Sequence, residues 1–306
     1  MKVLVTGANG FVGRAVVKRL LAQGDTVIAA VGPGAAGGPA GPNVTNVSLD
    51  LANDGSVRDA VSTPVDAVIH LAAIALTRAA DRDPAMAWRI NAEGTAKLAA
   101  AAASLRPPPL LLLASSADVY AWQQRPIKED DCVKPSTPYS YSKLGAELSA
   151  GQAARLSGLK LIVARPFPHS GAGQDESFWI PARCKQLREV KRNGCAAVPV
   201  GDLTAVRDYV HVDDVAEAYA LLLQRGTPGE VYNIASGRPI TLDEIHTRLE
   251  QLIGINPTRE VDASQVRREA RPYLVGDAGK LRMATGWTPR RTLDDILRDV
   301  INAQTH

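Results

Sequence analysis

The chain has 306 residues, of which 22% are charged and 45% are hydrophobic, and its formal net charge is +3 at pH 7. This length allows one large domain or two smaller ones that share an interface, and the balanced composition predicts a soluble globular protein. The small net charge and the lack of long Lys/Arg runs argue against a nucleic-acid partner. The longest apolar stretches, residues 98–105 and 110–115, are too short to cross a membrane.

The cysteines and the N-terminal segment indicate in which cellular compartment the protein is expected. Cys132, Cys184 and Cys195 are odd in number and lack the spacing of metal ligands, so we expect free thiols and no metal site. The sequence opens with MKVLVTG, a strand pattern without the charged and apolar regions of a signal peptide. Both features predict a cytoplasmic protein.

The first half of the chain alternates strand-like apolar runs with segments of helical periodicity. In chain order the sequence predicts strand 2–7, helix 14–24, strand 25–31, a Gly/Pro-rich loop 32–43, strand 44–50, helix 56–61, strand 66–73, helix 86–104, strand 109–120 running into a loop, helix 139–158 and strand 160–166.

This alternation predicts an α/β fold with a doubly wound parallel sheet that is covered by helices on both faces. Beyond Pro166 the alternation fades, and Gly, Pro and Arg become frequent. We therefore expect one domain over residues 1–165 and a smaller C-terminal substrate-binding domain mainly over residues 166–306. Some segments of the second half are expected to return to the sheet.

The turn from the first strand into the first helix carries three evenly spaced glycines. TGANGFVGR places Gly7, Gly10 and Gly13 in a G-x-x-G-x-x-G pattern. Glycines at these positions allow a tight turn and a close approach of backbone N–H groups to a pyrophosphate at the helix N-terminus. The pattern predicts a Rossmann-type NAD(P)-binding domain, with Phe11 and Val12 also in the cofactor site.

The end of the second strand usually separates NAD from NADP, because an acid there binds the ribose 2′-OH and an arginine accepts the 2′-phosphate. This chain has Val31-Gly32 there, and the missing acid slightly favours NADP(H) over NAD(H). Arg14 is either a phosphate partner or a solvated helix residue. Asp50 and Leu51 end the third strand and can receive the adenine, although a helix cap explains Asp50 equally well.

The segment YSYSK, residues 139–143, offers two tyrosines and one lysine. On a helix of about 3.6 residues per turn, Tyr139 and Lys143 share a face, whereas Tyr141 points away from Lys143. A free phenol has a pKa near ~10, which a neighbouring ammonium and a positive nicotinamide ring would lower. The geometry favours Tyr139 as the reactive tyrosine, although a Tyr stem packed on a Lys stem is also common.

Further motifs follow one another in a characteristic order, and together with YSYSK they are TGANGFVG (6–13), LDL (49–51), VIHLAA (68–73), INAEGT (90–95) and LASSADVY (113–120). In this order they resemble the extended short-chain dehydrogenase/reductase family of nucleotide-sugar epimerases, dehydratases and reductases. The resemblance covers essentially the whole chain. It adds Leu71, Ala72 and Ala73 to the expected cofactor site, together with Tyr139 and Lys143.

The same resemblance implies a catalytic set of Ser116, Tyr139 and Lys143. Tyr139 would exchange a proton with the sugar oxygen, and Ser116 would form a hydrogen bond with that oxygen. Lys143 would bind the nicotinamide ribose and lower the pKa of the tyrosine. Of the two adjacent serines, Ser115 is the less favoured.

The resemblance to the family also indicates which of its reactions this chain is expected to catalyse. Family dehydratases carry two carboxylates directly after the catalytic hydroxyl, where this chain has Ala117 and Asp118, so dehydration is disfavoured. The C-terminal segments resemble GDP-4-keto-6-deoxymannose reductases, and these segments are residues 165–174, 180–187, 200–219, 229–237 and 273–290.

Two arginines stand where the family binds the substrate diphosphate, Arg207 in VRDYV and Arg267 in SQVRRE. A guanidinium suits this role because it can form paired hydrogen bonds with phosphate oxygens. Arg207 is favoured because Asp208 and the following strand hold its backbone, whereas neighbouring arginines compete with Arg267. Pro168 replaces a family asparagine that contacts substrate, which leaves the sugar and the nucleotide open.

The leading interpretation is an NAD(P)H-dependent reductase of a nucleotide-linked 4-keto-6-deoxyhexose, with hydride transfer to C4 and Tyr139 as the proton donor. A nucleotide-sugar 4-epimerase that retains NAD is the alternative. A non-catalytic NAD(P)-binding protein is disfavoured by the intact Ser116, Tyr139 and Lys143. A homodimer is expected through a four-helix bundle of helices 86–104 and 139–158.

Overall fold

The computed structural model describes residues 1–34, 37–262 and 272–304. Within these residues the strands, in chain order, are β1 (Lys2–Thr6), β2 (Thr26–Val31), β3 (Val44–Ser48), β4 (Ala67–His70), β5 (Leu110–Ala114), β6 (Lys160–Pro166), β7 (His169–Ser170), β8 (Ala197–Val200), β9 (Val206–Arg207), β10 (Val210–His211), β11 (Val231–Ile234), β12 (Ile240–Thr241), β13 (Thr258–Val261) and β14 (Tyr273–Leu274).

The α-helices of the same residues are α1 (Phe11–Ala22), α2 (Asp54–Ala60), α3 (Thr77–Arg82), α4 (Pro84–Trp88), α5 (Gly94–Ser104), α6 (Pro138–Ser157), α7 (Trp179–Asn193), α8 (Val212–Arg225), α9 (Leu242–Ile253), α10 (Gly279–Thr285) and α11 (Leu293–Ala303).

Seven of the strands form the central sheet, in the order β3-β2-β1-β4-β5-β6-β11. Every neighbouring pair in it is parallel. The chain starts in the middle of the sheet, builds outward through β2 and β3, and then crosses back to β4 on the other side of β1. This strand order is that of a Rossmann sheet, which confirms the predicted fold class.

Helices cover both faces of the sheet, and each face has its own apolar core. Buried side chains of α1 and α8 pack with one face, and those of α2, α5 and α6 pack with the other. Strands β4 and β5 are almost wholly buried, which explains why their sequences are continuously apolar rather than alternating.

The predicted helix over residues 86–104 is a composite. It consists of α4, a π-helical turn over Arg89–Glu93, and α5. Helix α6 lies against this composite, and Gly145 allows a close approach between them, because a Cβ built there would lie 2.9 Å from the side chains of Trp88 and Ala92. The apolar periodicity predicted the helical path but not the change of pitch within it.

The second half of the chain contributes both to the central sheet and to a separate layer. Strand β11 pairs with β6 at one edge of the sheet, and α8 packs on α1. The separate layer has a core formed by α7, α9 and α11. Its short strands pair as β7 with β10, β8 with β13, and β9 between β12 and β14. The division at residues 165 and 166 stays a prediction.

Among the described residues, no helix combines the length and the apolar character needed to cross a bilayer.

Candidate active site

The turn between β1 and α1 is closely packed against the end of β4. Gly7 has a φ of +67°, and a Cβ built on it would lie 3.0 Å from the backbone nitrogen of Ala72. Gly10 is the N-cap of α1 and donates its backbone N–H to the Gly7 carbonyl over 2.9 Å. The structure therefore brings the glycine turn and the predicted cofactor residues Leu71 and Ala72 together at the carboxyl ends of neighbouring strands.

Thr6 and His70 hold this edge in place. The Thr6 hydroxyl oxygen accepts hydrogen bonds from the backbone N–H groups of Leu71 and Ala72, both at 3.1 Å. It also lies 2.7 Å from Nδ1 of His70, whose Nε2 lies 3.0 Å from the Thr95 hydroxyl. Burial, with a smaller effect from Lys143, lowers the pKa of His70 to about 3. His70 is therefore a neutral structural residue at physiological pH.

Asp50 does not cap the following helix. The N-cap of α2 is Asn53, whose side chain accepts from the Ser56 N–H over 3.1 Å. The Asp50 carboxylate instead accepts the backbone N–H of Ala52 over 2.9 Å. The side chain of Leu51 is buried against α5, so in this structure it belongs to the apolar core. Placement of an adenine at Asp50 and Leu51 stays a prediction.

Helix α6 begins immediately before the candidate tyrosine. Thr137 and Ser140 form a capping box at its N-terminus, and Pro138 occupies the first turn. The helix starts one position before Tyr139 because Thr137 and Ser140 satisfy backbone donors that have no partner within the helix, and Pro138 has no N–H that would need one. Tyr139 is half-buried, whereas Tyr141 is 55% exposed. The role of Tyr141 as a bystander stays a prediction.

Ser116 and Tyr139 lie together in the candidate site. Ser116 follows β5 and caps a short 3-10 turn through the N–H of Asp118, and its side chain is close enough to the Tyr139 phenol to lower its pKa. Burial raises the pKa of Tyr139 above its ordinary value, and the Asp118 carboxylate adds to this effect, while the Ser116 side chain opposes it. The phenol is therefore protonated at neutral pH, which is the state a proton donor requires.

Lys143 lies one turn further along α6, and its predicted bond to the nicotinamide ribose stays a prediction. Its Nζ donates to the carbonyl oxygen of Ala114 over 2.5 Å. Burial lowers the pKa of Lys143 to about 8, and the nearby Glu147 carboxylate opposes this effect. The pKa of Tyr139 is thus higher in this structure than in free water, because burial outweighs the effects that favour the phenolate.

Glu147 and Arg165 are paired close to the catalytic candidates, and the sequence analysis assigned neither of them a role. Glu147 accepts from the hydroxyl of Ser115 and from two nitrogens of Arg165, at 2.9 and 2.6 Å. Ser115 and Ser116 therefore face different partners. A signal was available in the sequence, since Glu147 follows Lys143 by four residues and so continues the face that already carries Tyr139.

Arg207 lies in β9, in the separate three-stranded sheet. The neighbouring Asp208 is fully buried and accepts the backbone N–H groups of Ser236, Gly237 and Gly276, at 2.8, 2.8 and 3.2 Å. These bonds hold the backbone beside Arg207, as the sequence reading expected of Asp208. Arg267 lies outside the described residues, so its role remains as predicted from the sequence.

The segment after β6 reaches the cofactor turn. Nδ1 of His169 donates to the Phe167 carbonyl oxygen over 2.9 Å, and the His169 ring is parallel to that of Phe11 at a centroid distance of 6.2 Å. Arg14 donates to the carbonyl oxygens of Asn9 and Gly173, at 2.6 and 3.0 Å. The guanidinium of Arg14 therefore ties the glycine turn to the loop that follows Pro168.

The comparisons with known proteins agree with this geometry. A family model described as the NAD dependent epimerase/dehydratase family matches residues 3–235. The chain belongs to this family. Membership in the NAD-dependent epimerase/dehydratase family confirms the resemblance seen in the sequence motifs.

Several members of the epimerase/dehydratase family are similar over nearly the whole chain. A GDP-6-deoxy-D-mannose reductase from Pseudomonas aeruginosa is 33% identical, covering 98% of this chain and 96% of its own. The structure of RMD from Pseudomonas aeruginosa complexed with NADPH is 32% identical, with a TM-score of 0.84 over 99% of this chain and 98% of that one. UDP-glucose 4-epimerase from Thermus thermophilus, in complex with NAD, is 27% identical, with a TM-score of 0.86 over 99% and 98%.

Proposed function

We propose that this protein is an NAD(P)H-dependent reductase of a nucleotide-linked 4-keto-6-deoxyhexose similar to GDP-4-keto-6-deoxymannose. The observation that carries the proposal is the placement of Ser116 just after β5 and of Tyr139 in the first turn of α6, at the carboxyl edge of a Rossmann sheet. The similarity to a GDP-6-deoxy-D-mannose reductase supports this substrate class. Family membership supports a nicotinamide dinucleotide as the cofactor.

The glycine turn fits such a cofactor. Side chains at Gly7 and Gly13 would meet backbone atoms, so the turn offers bare backbone at the N-terminus of α1, as a pyrophosphate requires. When bound, the nicotinamide supplies the hydride that reduces the ketone at C4. The residues Gly10, Phe11 and Val12 at the start of α1, and Leu71 to Ala73 beside the turn, would hold the cofactor.

Tyr139 and Ser116 act on the oxygen of the ketone. As the carbonyl carbon gains a hydride, its oxygen gains negative charge, and the Tyr139 hydroxyl delivers a proton to it. Ser116 donates a hydrogen bond to the same oxygen and steadies the tyrosine. Lys143 keeps a positive charge beside them, which favours the phenolate that forms once the proton has left.

A nicotinamide absorbance assay tests the proposal. A partner dehydratase generates GDP-4-keto-6-deoxymannose in the cuvette, and the absorbance of NADPH, then of NADH, is followed. Loss of absorbance that depends on the sugar is the expected result, and NMR of the product then gives the configuration at C4. No loss with either coenzyme would contradict the proposed substrate.

The second candidate function is a nucleotide-sugar 4-epimerase, which the similarity to UDP-glucose 4-epimerase favours. An epimerase returns the hydride to the other face of the sugar, so it retains its NAD. Three results would favour the epimerase over the reductase. The protein would purify with bound NAD, it would interconvert UDP-hexoses, and it would cause no net oxidation of NADPH.

We infer a slight preference for NADP(H). β2 ends at Val31, and the following Gly32 offers no carboxylate to the ribose 2′-OH. A cavity of about 580 Å³ opens beside Arg14 and Lys18 on α1, and two cationic side chains at its wall suit a phosphate. The ratio of kcat/KM for NADPH and NADH in the absorbance assay measures this preference.

Arg207→Gln is expected to raise the KM for the nucleotide sugar by about tenfold or more, because a charged hydrogen bond to a diphosphate contributes about 1.5–3 kcal/mol. The KM for NADPH should stay unchanged. Steady-state kinetics with each substrate varied in turn separates the two effects. Arg238→Gln, at an exposed position, is the control and should keep both KM values. An unchanged sugar KM in Arg207→Gln would remove this residue from the substrate site.

We also propose a homodimer formed through the α4–α5 composite and α6. Large apolar side chains on these helices are exposed in the single chain, with Trp88 at 46%, Tyr141 at 55% and Leu148 at 67%. Tyr141 and Leu148 are seven residues apart and so lie on one face of α6. Leu148→Glu is expected to give a monomer by light scattering, whereas Met283→Glu, on the exposed face of α10, should remain dimeric. A dimeric Leu148→Glu protein would contradict this interface.

A further inference from the structure

The carboxylate of Glu147 joins three elements that carry or adjoin the catalytic candidates. It projects from α6, four residues beyond Lys143, and accepts hydrogen bonds from Ser115 at the end of β5 and from Arg165 in β6. Ser115 directly precedes Ser116, and its backbone N–H is bonded to the Ala164 carbonyl over 2.7 Å. Glu147 therefore ties the helix of the tyrosine and lysine to the strand end of the serine.

We propose that Glu147 is a positioning residue for the reaction: it holds the Ser115–Ser116 segment against α6 and places a negative charge one helical turn from the buried ammonium of Lys143. This inference rests on the proposed function insofar as Ser116, Tyr139 and Lys143 act on a substrate. It adds a role for Glu147 and its partner Arg165, which do not touch the reacting atoms.

The surroundings of Lys143 explain why a carboxylate is needed there. Lys143 is only 6% exposed, and its Nζ donates to the Ala114 carbonyl. His70 approaches from β4 and is neutral, since burial and Lys143 together lower its pKa to about 3. Glu147 is the group whose charge raises the pKa of Lys143 against the effect of burial. Without this carboxylate, the ammonium would lose the charge that raises its pKa.

Stability alone gives a weak reason for this arrangement. The side chains of Arg165 and Glu147 are 6% and 9% exposed, and a buried ion pair often contributes little net stability, because both charges lose their hydration. Further contacts hold the Arg165 side chain in place. The guanidinium of Arg165 lies 4.6 Å from the centre of the Tyr120 ring, and the Tyr120 hydroxyl donates to Asn233 over 2.8 Å. These contacts fix Arg165, and Arg165 in turn fixes the Glu147 carboxylate, as a positioning role requires.

The test uses three variants of the full chain. Glu147→Gln removes the charge and leaves Arg165 unpaired, Glu147→Asp keeps the charge, and Glu147→Gln combined with Arg165→Met removes the whole pair without leaving a buried charge. Glu217→Gln is the matched control, because Glu217 also pairs with an arginine, Arg19 on α1, but between α1 and α8.

The first readout does not depend on any substrate. The pKa of Lys143 is measured by NMR of protein labelled with ¹³C and ¹⁵N in lysine, with Lys143→Arg used to assign the signal. Loss of the Glu147 charge is expected to lower this pKa by about one unit or more in Glu147→Gln and in the double variant. Glu147→Asp and Glu217→Gln should stay within a few tenths of the wild-type value. An unchanged Lys143 pKa in the double variant would overturn the inference.

The second readout is the pH profile of kcat in the reductase assay. A protonated Lys143 is lost as the pH rises through its pKa, so lowering that pKa moves the alkaline limb of the profile to lower pH. Glu147→Asp should restore the wild-type limb. If Glu147 were only the counter-ion of Arg165, the double variant would recover the wild-type profile, which would overturn the inference. A shifted Lys143 pKa in a protein whose wild type does not turn over the sugar would support the role of Glu147 while refuting the proposed substrate.

Discussion

Tyr139→Phe is expected to lower kcat by about 10²–10⁴-fold, which is the usual contribution of a positioned acid or base. The substitution removes only the hydroxyl beside Ser116 and leaves the half-buried ring to pack at the start of α6. NADPH should still bind, because the glycine turn is untouched. Steady-state kinetics and a fluorescence titration with NADPH measure the two effects separately.

The neighbouring tyrosine provides a matched control. Tyr141 lies two residues away on the same helix but is 55% exposed, so Tyr141→Phe should keep the wild-type kcat. Ser116→Ala should lose activity as well, since it removes the hydroxyl that is proposed to bond to the ketone oxygen. Turnover at the wild-type rate by Tyr139→Phe would remove the tyrosine from the mechanism, and the proposed proton transfer would then be wrong.

Gly13→Ala is expected to raise the Kd for NADPH by about 10–100-fold, since overpacking of this kind costs about 1–3 kcal/mol. A Cβ at Gly13 would overlap the carbonyl oxygen of Gly7 and lie 2.8 Å from the Cα of Ala8. Both are backbone atoms of the turn, so the turn itself must open to accommodate the methyl group. Fluorescence titration gives the Kd, and thermal unfolding shows how much the fold is also weakened.

Gly151→Ala separates the clash from the general effect of replacing a glycine in a helix. Gly151 lies in α6, and a Cβ there has no heavy atom within 4 Å. Its replacement should raise the free energy of unfolding by about 0.5–1 kcal/mol through the loss of backbone freedom in the unfolded chain. Normal NADPH binding by Gly13→Ala would mean that this turn does not hold the cofactor.

Much of the fold was accessible from local sequence patterns. The alternation of apolar runs and helical periodicity predicted the strands and helices of the first half, because burial on both faces of a parallel sheet requires continuous apolar strands. The strand order could not be read in the same way. β11 comes after several elements of the second half and still joins the sheet beside β6, and this position depends on contacts between segments far apart in the chain.

Some features of the candidate site could likewise be predicted from the sequence, and others could not. Spacing along a single element is enough to place Tyr139 and Lys143 on one helical face and glycines in the first turn. Three contacts between elements required the folded structure: Lys143 bonds to the Ala114 carbonyl, Ser115 bonds to Glu147, and Glu147 is paired with Arg165. These contacts join α6 to β5 and β6, and a contact between elements depends on where the sheet places them, which periodicity within each element does not specify.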